Sequence, residues 1–280
     1  MDKQLSAFID NALREDIGAG DFSSLACVPA EAQGKAKLLV KEDGIIAGIR
    51  IARAIFEKVD DEVKFIRLLD DGSGVKNGDI AFTVSGRSQS ILKAERLLLN
   101  VMQRMSGIAT ETARYVKKIE GAGAKILDTR KTTPGVRFLE KEAVKLGGGV
   151  NHRMGLYDMI MLKDNHIDFA GGIEQAILKT NRFLKENNLP LKIEIECRNF
   201  DELHQVITIG KVDRIMLDNF TPEETRKAVA LINGEYETES SGGIVYDNIR
   251  EYAECGVDFI SVGALTHQIR SLDMSLKATN

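Results

Sequence analysis

Arg130, Lys131, Arg153 and Lys163 are the residues best suited to chemistry with anions. Arginine offers a planar fork for carboxylate or phosphate, and lysine a compact point charge. All four fall in one stretch, Asp128 to His166, together with His152, His166 and the glycine run Gly147 to Gly149. That stretch holds seven Lys and Arg against five Asp and Glu, a net +2, whereas the rest of the chain holds 31 against 37. A cationic, glycine-punctuated segment in an acidic chain points to a multiply charged anion. His152 and His166 read as orienting donors rather than as acid–base groups.

Two carboxylates, Glu196 and Asp218, close strand-like runs further on. Such a pair can hold Mg²⁺ through water while substrate phosphates complete the shell. It can equally hydrogen-bond sugar hydroxyls, or form an ion pair with Lys163 or Lys131. Two later turns, Ser241-Gly242-Gly243 and Gly263-Ala264-Leu265, each follow a strand and precede a helix. Glycine there lets the backbone approach a phosphate, and helix N-terminal amides supply donors; the plainer alternative is a tight turn. Cys197 lacks a paired base and reads as packing. Asp128 and Lys141 read as site-mouth residues or as cap and surface.

The elements that must position these groups change character along the chain. Residues 3–14 form an amphipathic helix that stops at EDIGAGD, a capped, solvated loop. Strand-like runs follow at 35–40, 44–47, 63–68 and 80–84, with a helix over 49–59, and this mixture predicts an α+β domain. Ser88–Met105 reads as a helix with a broad apolar surface, broken by SGIAT, with a second helix to Glu120. Arg96 sits in it with no acidic partner one turn away, so it pairs with a distant carboxylate, reaches water, or meets an anion across a subunit boundary. From Ala124 onward, strands are expected at 125–129, 158–162, 192–196, 214–217, 237–240 and 258–262. Helices over 172–187, 222–232 and 246–255 alternate with them, the pattern of a parallel α/β barrel that is small or incomplete. In such folds function lives at the carboxyl ends of the strands, and nearly every strand here ends in a polar or glycine residue.

Composition sets outer bounds. The chain has 280 residues, 43% hydrophobic and 29% charged, with a formal charge of −4. That balance argues against nucleic acid, and no apolar run reaches the roughly 20 residues that cross a bilayer. Three widely spaced cysteines, Cys27, Cys197 and Cys255, suit a reduced, cytoplasmic protein.

Taken together, the motifs DTRKTTPGVRFLEKEAV, GGGVNHRMGLYDMIMLKDNH, AERLLLN with SGIAT, IEIE, IMLDN, SSGGI and SVGALTH resemble the quinolinate phosphoribosyltransferase family, in order and over nearly the whole chain. Ser240 and Gln268 depart from residues common in the family, and neither removes a charge. The resemblance implies an α/β sandwich domain (1–107 plus 268–280) and an open, seven-stranded α/β barrel (108–267), in a homodimer. It implies conversion of quinolinate and 5-phosphoribosyl 1-pyrophosphate to nicotinate mononucleotide, pyrophosphate and CO₂, with Mg²⁺. It further implies that Arg130, Arg153 and Lys163, with Thr129 and His152, meet the dicarboxylate, and that Lys131 lies near the pyrophosphate or the reacting carboxylate. Arg96 would enter the partner's site. Glu196 and Asp218 would lie at the ribose and metal side, and Ser241, Gly242, Gly243, Gly263, Ala264 and Leu265 would hold the 5′-phosphate. The residues alone leave other readings: a related transferase for another ring carboxylate, a Schiff-base sugar-phosphate enzyme using Lys131 or Lys163, or a non-catalytic metabolite binder.

Overall fold

A computed structural model describes residues 2–279. The chain divides into two compact units. The first comprises Met1–Ala113, Thr132–Gly148 and Leu265–Asn280; the second comprises Arg114–Lys131 and Gly149–Ala264.

In the first unit, Asp2 caps the helix Lys3–Ile17 by accepting from the Gln4 amide, and Gly18, at φ +53°, ends it. Asp21 likewise caps the short helix Phe22–Cys27, so the acidic loop is a capping device. The strands β1 (Gln33–Val40), β2 (Gly44–Ile45), β3 (Lys64–Arg67), β4 (Gly74–Val75) and β5 (Ile80–Arg87) follow. β1 lies between β5 and the C-terminal strand Met274–Thr279, antiparallel to both, and β3 flanks β5. The C-terminal strand thus joins the N-terminal sheet. The helix Ile49–Val59 buries Ile51, Ile55 and Phe56, and Phe56 packs on Phe65 and Phe82.

Asp60 follows that helix with a nearly inaccessible side chain. It accepts from Arg87 Nε (2.8 Å), Ser90 Oγ (2.6 Å) and Glu62 N (3.2 Å). The Arg87 contact foremost, then Ser90 and Glu62, holds its carboxyl well below the usual carboxylate range. A depressed carboxyl adds stability that is complete above its unfolded pKa, about 3.9, and is lost as pH falls through the folded value. Asp60→Asn is expected to lose ~1–3 kcal/mol at neutral pH. In denaturant melts its deficit against the parent should shrink as pH falls from about 5 toward about 2.

The SGIAT break does not occur: one helix runs from Ser88 to Lys118. A mid-helix glycine costs only ~1 kcal/mol, and Gly107 is there for space. A Cβ on it would lie 2.2 Å from the Arg270 carbonyl oxygen of the returning C-terminal segment. Ser106 spends its hydroxyl on the backbone of Ala47, accepting from the amide at 2.8 Å and donating to the carbonyl at 3.2 Å. A helix unread in the sequence, Arg137–Leu146, carries buried Glu140 and Lys141, so Lys141 is not a surface residue. Glu140 pairs with Arg104 at 2.6 Å and accepts from the Thr133 amide at 3.1 Å, while Arg104 also donates to Thr133 Oγ1 at 2.7 Å. This pair ties down the TTPG loop.

The second unit is built on one parallel sheet of β6 (Lys125–Leu127), β7 (Ile160–Leu162), β8 (Ile193–Cys197), β9 (Arg214–Asp218), β10 (Glu237–Ser241) and β11 (Phe259–Ser261). Their order is β6-β11-β10-β9-β8-β7. Six strands form the sheet, and Val150 adds a single parallel bridge to Leu127 of β6. Ile193, Ile195 and Cys197 of β8 and Ile215 and Leu217 of β9 pack with Ile177, Leu203, Val206 and Ala228 of the crossover helices.

Candidate active site

A parallel sheet covered on both faces normally shows near-continuous apolar strands. Here most of the residues that alternate with the helix-facing ones on β8, β9 and β10 are polar, Met216 being the exception. Glu194 and Glu196 lie on β8, Arg214 and Asp218 on β9, and Glu237, Glu239 and Ser241 on β10. Registry places them side by side: Glu194 beside Arg214, Arg214 beside Glu237, and Asp218 beside Ser241. Because all six strands are parallel, their carboxyl ends share one edge of the sheet. At that edge stand Thr129, Arg130 and Lys131 after β6, Lys163 after β7 and Glu196 near the end of β8. Asp218 ends β9, Ser241 ends β10, and Gly263 and Ala264 follow β11.

Local structure fixes several of these groups. Thr129 Oγ1 accepts from the Lys131 amide at 3.0 Å, turning the chain so that Arg130 and Lys131 are exposed. Lys163 Nζ meets Glu196 Oε2 at 2.7 Å, the self-neutralising pair considered from sequence. His166 Nδ1 accepts from the Lys163 amide at 3.0 Å, so His166 caps the helix Asp164–Ala170 instead of donating toward a ligand. Asp218 accepts from Asn219 Nδ2 at 2.6 Å. Cys197 is fully buried, and burial foremost, with Glu202 and Glu196 nearby, pushes its thiol up to about 12. It is packing.

His152 and Arg153 are both buried. The His152 amide donates to Asp128 Oδ1 at 2.8 Å, so Asp128 is a buried anchor for this segment. The Arg153 amide donates to His152 Nδ1 at 2.6 Å, and Arg153 Nη1 donates to the Met159 carbonyl at 3.2 Å. Asp158 accepts from the amides of Met154 and Gly155, closing the loop after Arg153. Burial, with the neighbouring Arg130 charge, pushes the Arg153 guanidinium below its usual range.

The glycine turn after β10 differs from expectation. The following helix is only Ile249–Ala253, and a single turn, Ala264–His267, follows Gly263. Donors at Gly242 and Gly243 are therefore loop amides and not a helix terminus. Both glycines are left-handed, at φ +92° and +61°. Asn219 presses against the turn: a Cβ on Gly242 would lie 2.2 Å from Asn219 Oδ1. Asn248 holds the far side, accepting from the Val245 amide at 2.8 Å and donating to the Gly243 carbonyl at 3.3 Å.

Two expected site residues lie in the first unit. Leu265 is buried there, and Arg96 is exposed on the helix Ser88–Lys118. Among the described residues, the Arg96 side chain has no ion pair or hydrogen bond. Residues the sequence reading left unassigned are Arg104, Asn219, Arg214, Glu194 and Glu239. Glu194 and Glu196 alternate along β8, and Glu237 and Glu239 alternate likewise along β10, a pattern that could have found Glu194 and Glu239.

Comparison with known proteins bears on what this edge is for. Residues 21–106 match the family model described as quinolinate phosphoribosyl transferase, N-terminal domain, and residues 108–277 match its C-terminal domain. The chain belongs to the quinolinate phosphoribosyltransferase family. It is 45% identical to the chloroplastic nicotinate-nucleotide pyrophosphorylase [carboxylating] of Arabidopsis thaliana, over 98% of this chain and 82% of that one. It is 40% identical to the probable nicotinate-nucleotide pyrophosphorylase [carboxylating] of Bacillus subtilis (strain 168), over 99% and 94%. The crystal structure of NadC from Streptococcus pyogenes superposes with a TM-score of 0.94 at 38% identity, covering 99% of this chain and 96% of that one. The two-domain fold, with a mixed N-terminal unit and a parallel C-terminal sheet, is therefore that of this family.

Proposed function

We propose that this chain transfers the phosphoribosyl group of 5-phosphoribosyl 1-pyrophosphate to quinolinate, with loss of CO₂, giving nicotinate mononucleotide for NAD biosynthesis. What supports the reading, beyond the family, is one observation: cations, carboxylates and glycine turns share the carboxyl-end edge of six adjacent parallel strands. Both substrates are polyanions and repel each other unless positive groups lie between them.

In this reading Arg130, Arg153 and Lys163 bind the two carboxylates of quinolinate, with Thr129 and His152 beside them. The backbone amides of Ser241, Gly242 and Gly243, and of Gly263, Ala264 and Leu265, hold the 5′-phosphate. Lys131 meets the pyrophosphate as it leaves. The oxocarbenium-like centre forms with the ring nitrogen already in line, so the chain's contribution is position and field. Once that nitrogen is quaternised, carboxylate loss leaves a carbanion beside a cationic nitrogen, which needs no separate electron sink and takes up one proton from solvent to give nicotinate mononucleotide. Glu196 and Asp218 are oxygen donors of the kind Mg²⁺ takes through water, and such an ion would supply charge neutralisation on the pyrophosphate.

Arg96 is read as entering the site of a second copy. Its exposure, its lack of an ion pair or side-chain hydrogen bond among the described residues, and exposed Leu92 one turn earlier on the same face support a homodimer. Three free cysteines support a reducing compartment, the cytoplasm; no described helix is long and apolar enough to cross a membrane.

The test is incubation with quinolinate, phosphoribosyl pyrophosphate and Mg²⁺. Nicotinate mononucleotide and CO₂ in equal amounts are expected; turnover of another ring acid in place of quinolinate would overturn the reading. Gly242→Ala is expected to raise KM for phosphoribosyl pyrophosphate on the order of tenfold or more and to leave KM for quinolinate nearly unchanged. A methyl group at that left-handed position would collide with Asn219 and displace the phosphate amides. Initial rates against each substrate in turn check it.

A further inference from the structure

Below the strand-end groups lies a second polar layer that the proposed reaction does not use. Glu194 sits two residues before Glu196 on the same face of β8, roughly 7 Å deeper. Glu194 and Glu239 are completely buried. Arg214 Nη1 meets Glu239 Oε2 at 3.0 Å, its other edge meets Glu237 Oε2 at 3.1 Å, and its guanidinium stacks on Phe259 at 4.0 Å. His152 Nε2 stands 3.0 Å from Glu194 Oε2 and 3.5 Å from Glu239 Oε2. By hydrogen-bond geometry neither Glu194 oxygen is in a well-aligned bond, so the 3.0 Å approach of His152 Nε2 is a close polar contact and not an aligned hydrogen bond.

Such a layer is costly. Each buried carboxylate loses several kcal/mol of hydration, and well-packed apolar residues would often stabilise the fold more. Barrel interiors are ordinarily filled with Val, Ile and Leu. Burial accordingly pushes both carboxyls upward, Glu239 further raised by the Glu194 charge and both opposed by Arg214. The geometry shows what the layer acts on. His152 Nδ1 accepts the Arg153 amide, so the ring proton is on Nε2 and faces the two carboxylates. The ring therefore rests against Glu194 and Glu239 on its Nε2 side and bonds the backbone of Arg153 through Nδ1.

We propose that Glu194 and Glu239, braced by Arg214, are positioning residues for the dicarboxylate site: they fix the tautomer and orientation of His152, and His152 fixes the placement of Arg153. The inference rests on the reading of Arg153 as a quinolinate ligand. Glu194→Gln and Glu239→Gln keep the shape but replace one carboxyl oxygen by an NH₂ donor and remove the negative charge the raised pair shares, so the Nε2 side of the His152 ring meets a changed partner. Misplacing a substrate clamp by about 1 Å can cost up to about a hundredfold.

The experiment measures both substrates' KM, kcat and thermal stability for Glu194→Gln, Glu239→Gln and Arg153→Ala. It adds imidazole NMR spectra of histidine-labelled protein, in which His152 is the buried member of four histidines. A tenfold or greater rise in KM for quinolinate, no comparable rise for phosphoribosyl pyrophosphate, and a changed His152 Nε2–H resonance are expected in both Glu variants. Should Glu194→Gln fail to fold, Glu239→Gln and a Glu239→Met variant give the same readouts. Equal changes in both KM values, or an unchanged His152 resonance, would overturn the proposal. So would a stoichiometric divalent metal in the parent protein that either variant loses, since the cluster would then be a metal site. If Arg153→Ala loses quinolinate binding while the Glu variants do not, this inference fails alone. If Arg153→Ala leaves quinolinate binding intact, the reading beneath it fails.

Discussion

Lys163→Met is expected to lower kcat/KM for quinolinate on the order of a thousandfold while the fold survives. One preorganised donor aimed at developing charge is worth about 10²–10³ in rate. Lys163 adds a second effect, because its ammonium also neutralises Glu196 at 2.7 Å. Removing it leaves a carboxylate with little exposure at the place where the proposed reaction brings two anionic substrates together. Lys163→Arg keeps the charge with a different reach and should recover part of the loss. Pyrophosphate release reports ribosyl transfer, and CO₂ release reports decarboxylation. The apolar Met159-Ile160-Met161-Leu162 run before Lys163, in which Met159, Met161 and Leu162 are buried, would desolvate the departing carboxylate. If both steps slow by the same factor in Lys163→Met, a separate role in CO₂ loss is unsupported.

Arg96→Ala and Lys163→Ala variants are each expected to be nearly inactive, and, if the protein is the proposed homodimer, their mixture to regain activity. If Arg96 acts across the twofold axis, a mixed dimer has one intact site and one doubly defective site. Random reassortment makes half of the dimers mixed, so the mixture should reach roughly a quarter of the parent rate. No recovery after verified subunit exchange would place Arg96 in its own chain's site. The exposed position of Arg96, without an ion pair among the described residues, motivates the test.

The parallel sheet was legible because most of its strands obey two rules at once: apolar residues toward the helices, and a polar or glycine residue at or just past the end; β10, ETESS, obeys only the second. Glu196, Asp218 and Ser241 were readable as strand-end groups for that reason. The helix Arg137–Leu146 was not read, although Leu139, Ala143 and Val144 form its buried face, because its equally buried Glu140 and Lys141 look locally like surface charge. The false break at Ser106-Gly107 has the same origin. Residues chosen for a distant contact, the Ala47 backbone and the Arg270 carbonyl, look locally like helix breakers. His166 could not be separated from His152 by type; one caps a helix and the other sits over a buried carboxylate layer, which only the long-range register of β8 with β10 through β9 creates. Arg104 was hidden because its partners, Glu140 and Thr133, are far along the chain.

The most direct measurement is a crystal structure with quinolinate and a non-reacting phosphoribosyl pyrophosphate analogue bound together. The two carboxylates should lie on Arg130, Arg153 and Lys163, and the 5′-phosphate against the amides of Gly242, Gly243 and Gly263, with the ring nitrogen facing the anomeric carbon. Anions seated away from that strand-end edge, or on it but with their reacting atoms apart, would contradict the claim that these cations and glycines exist to bring two mutually repelling acids together.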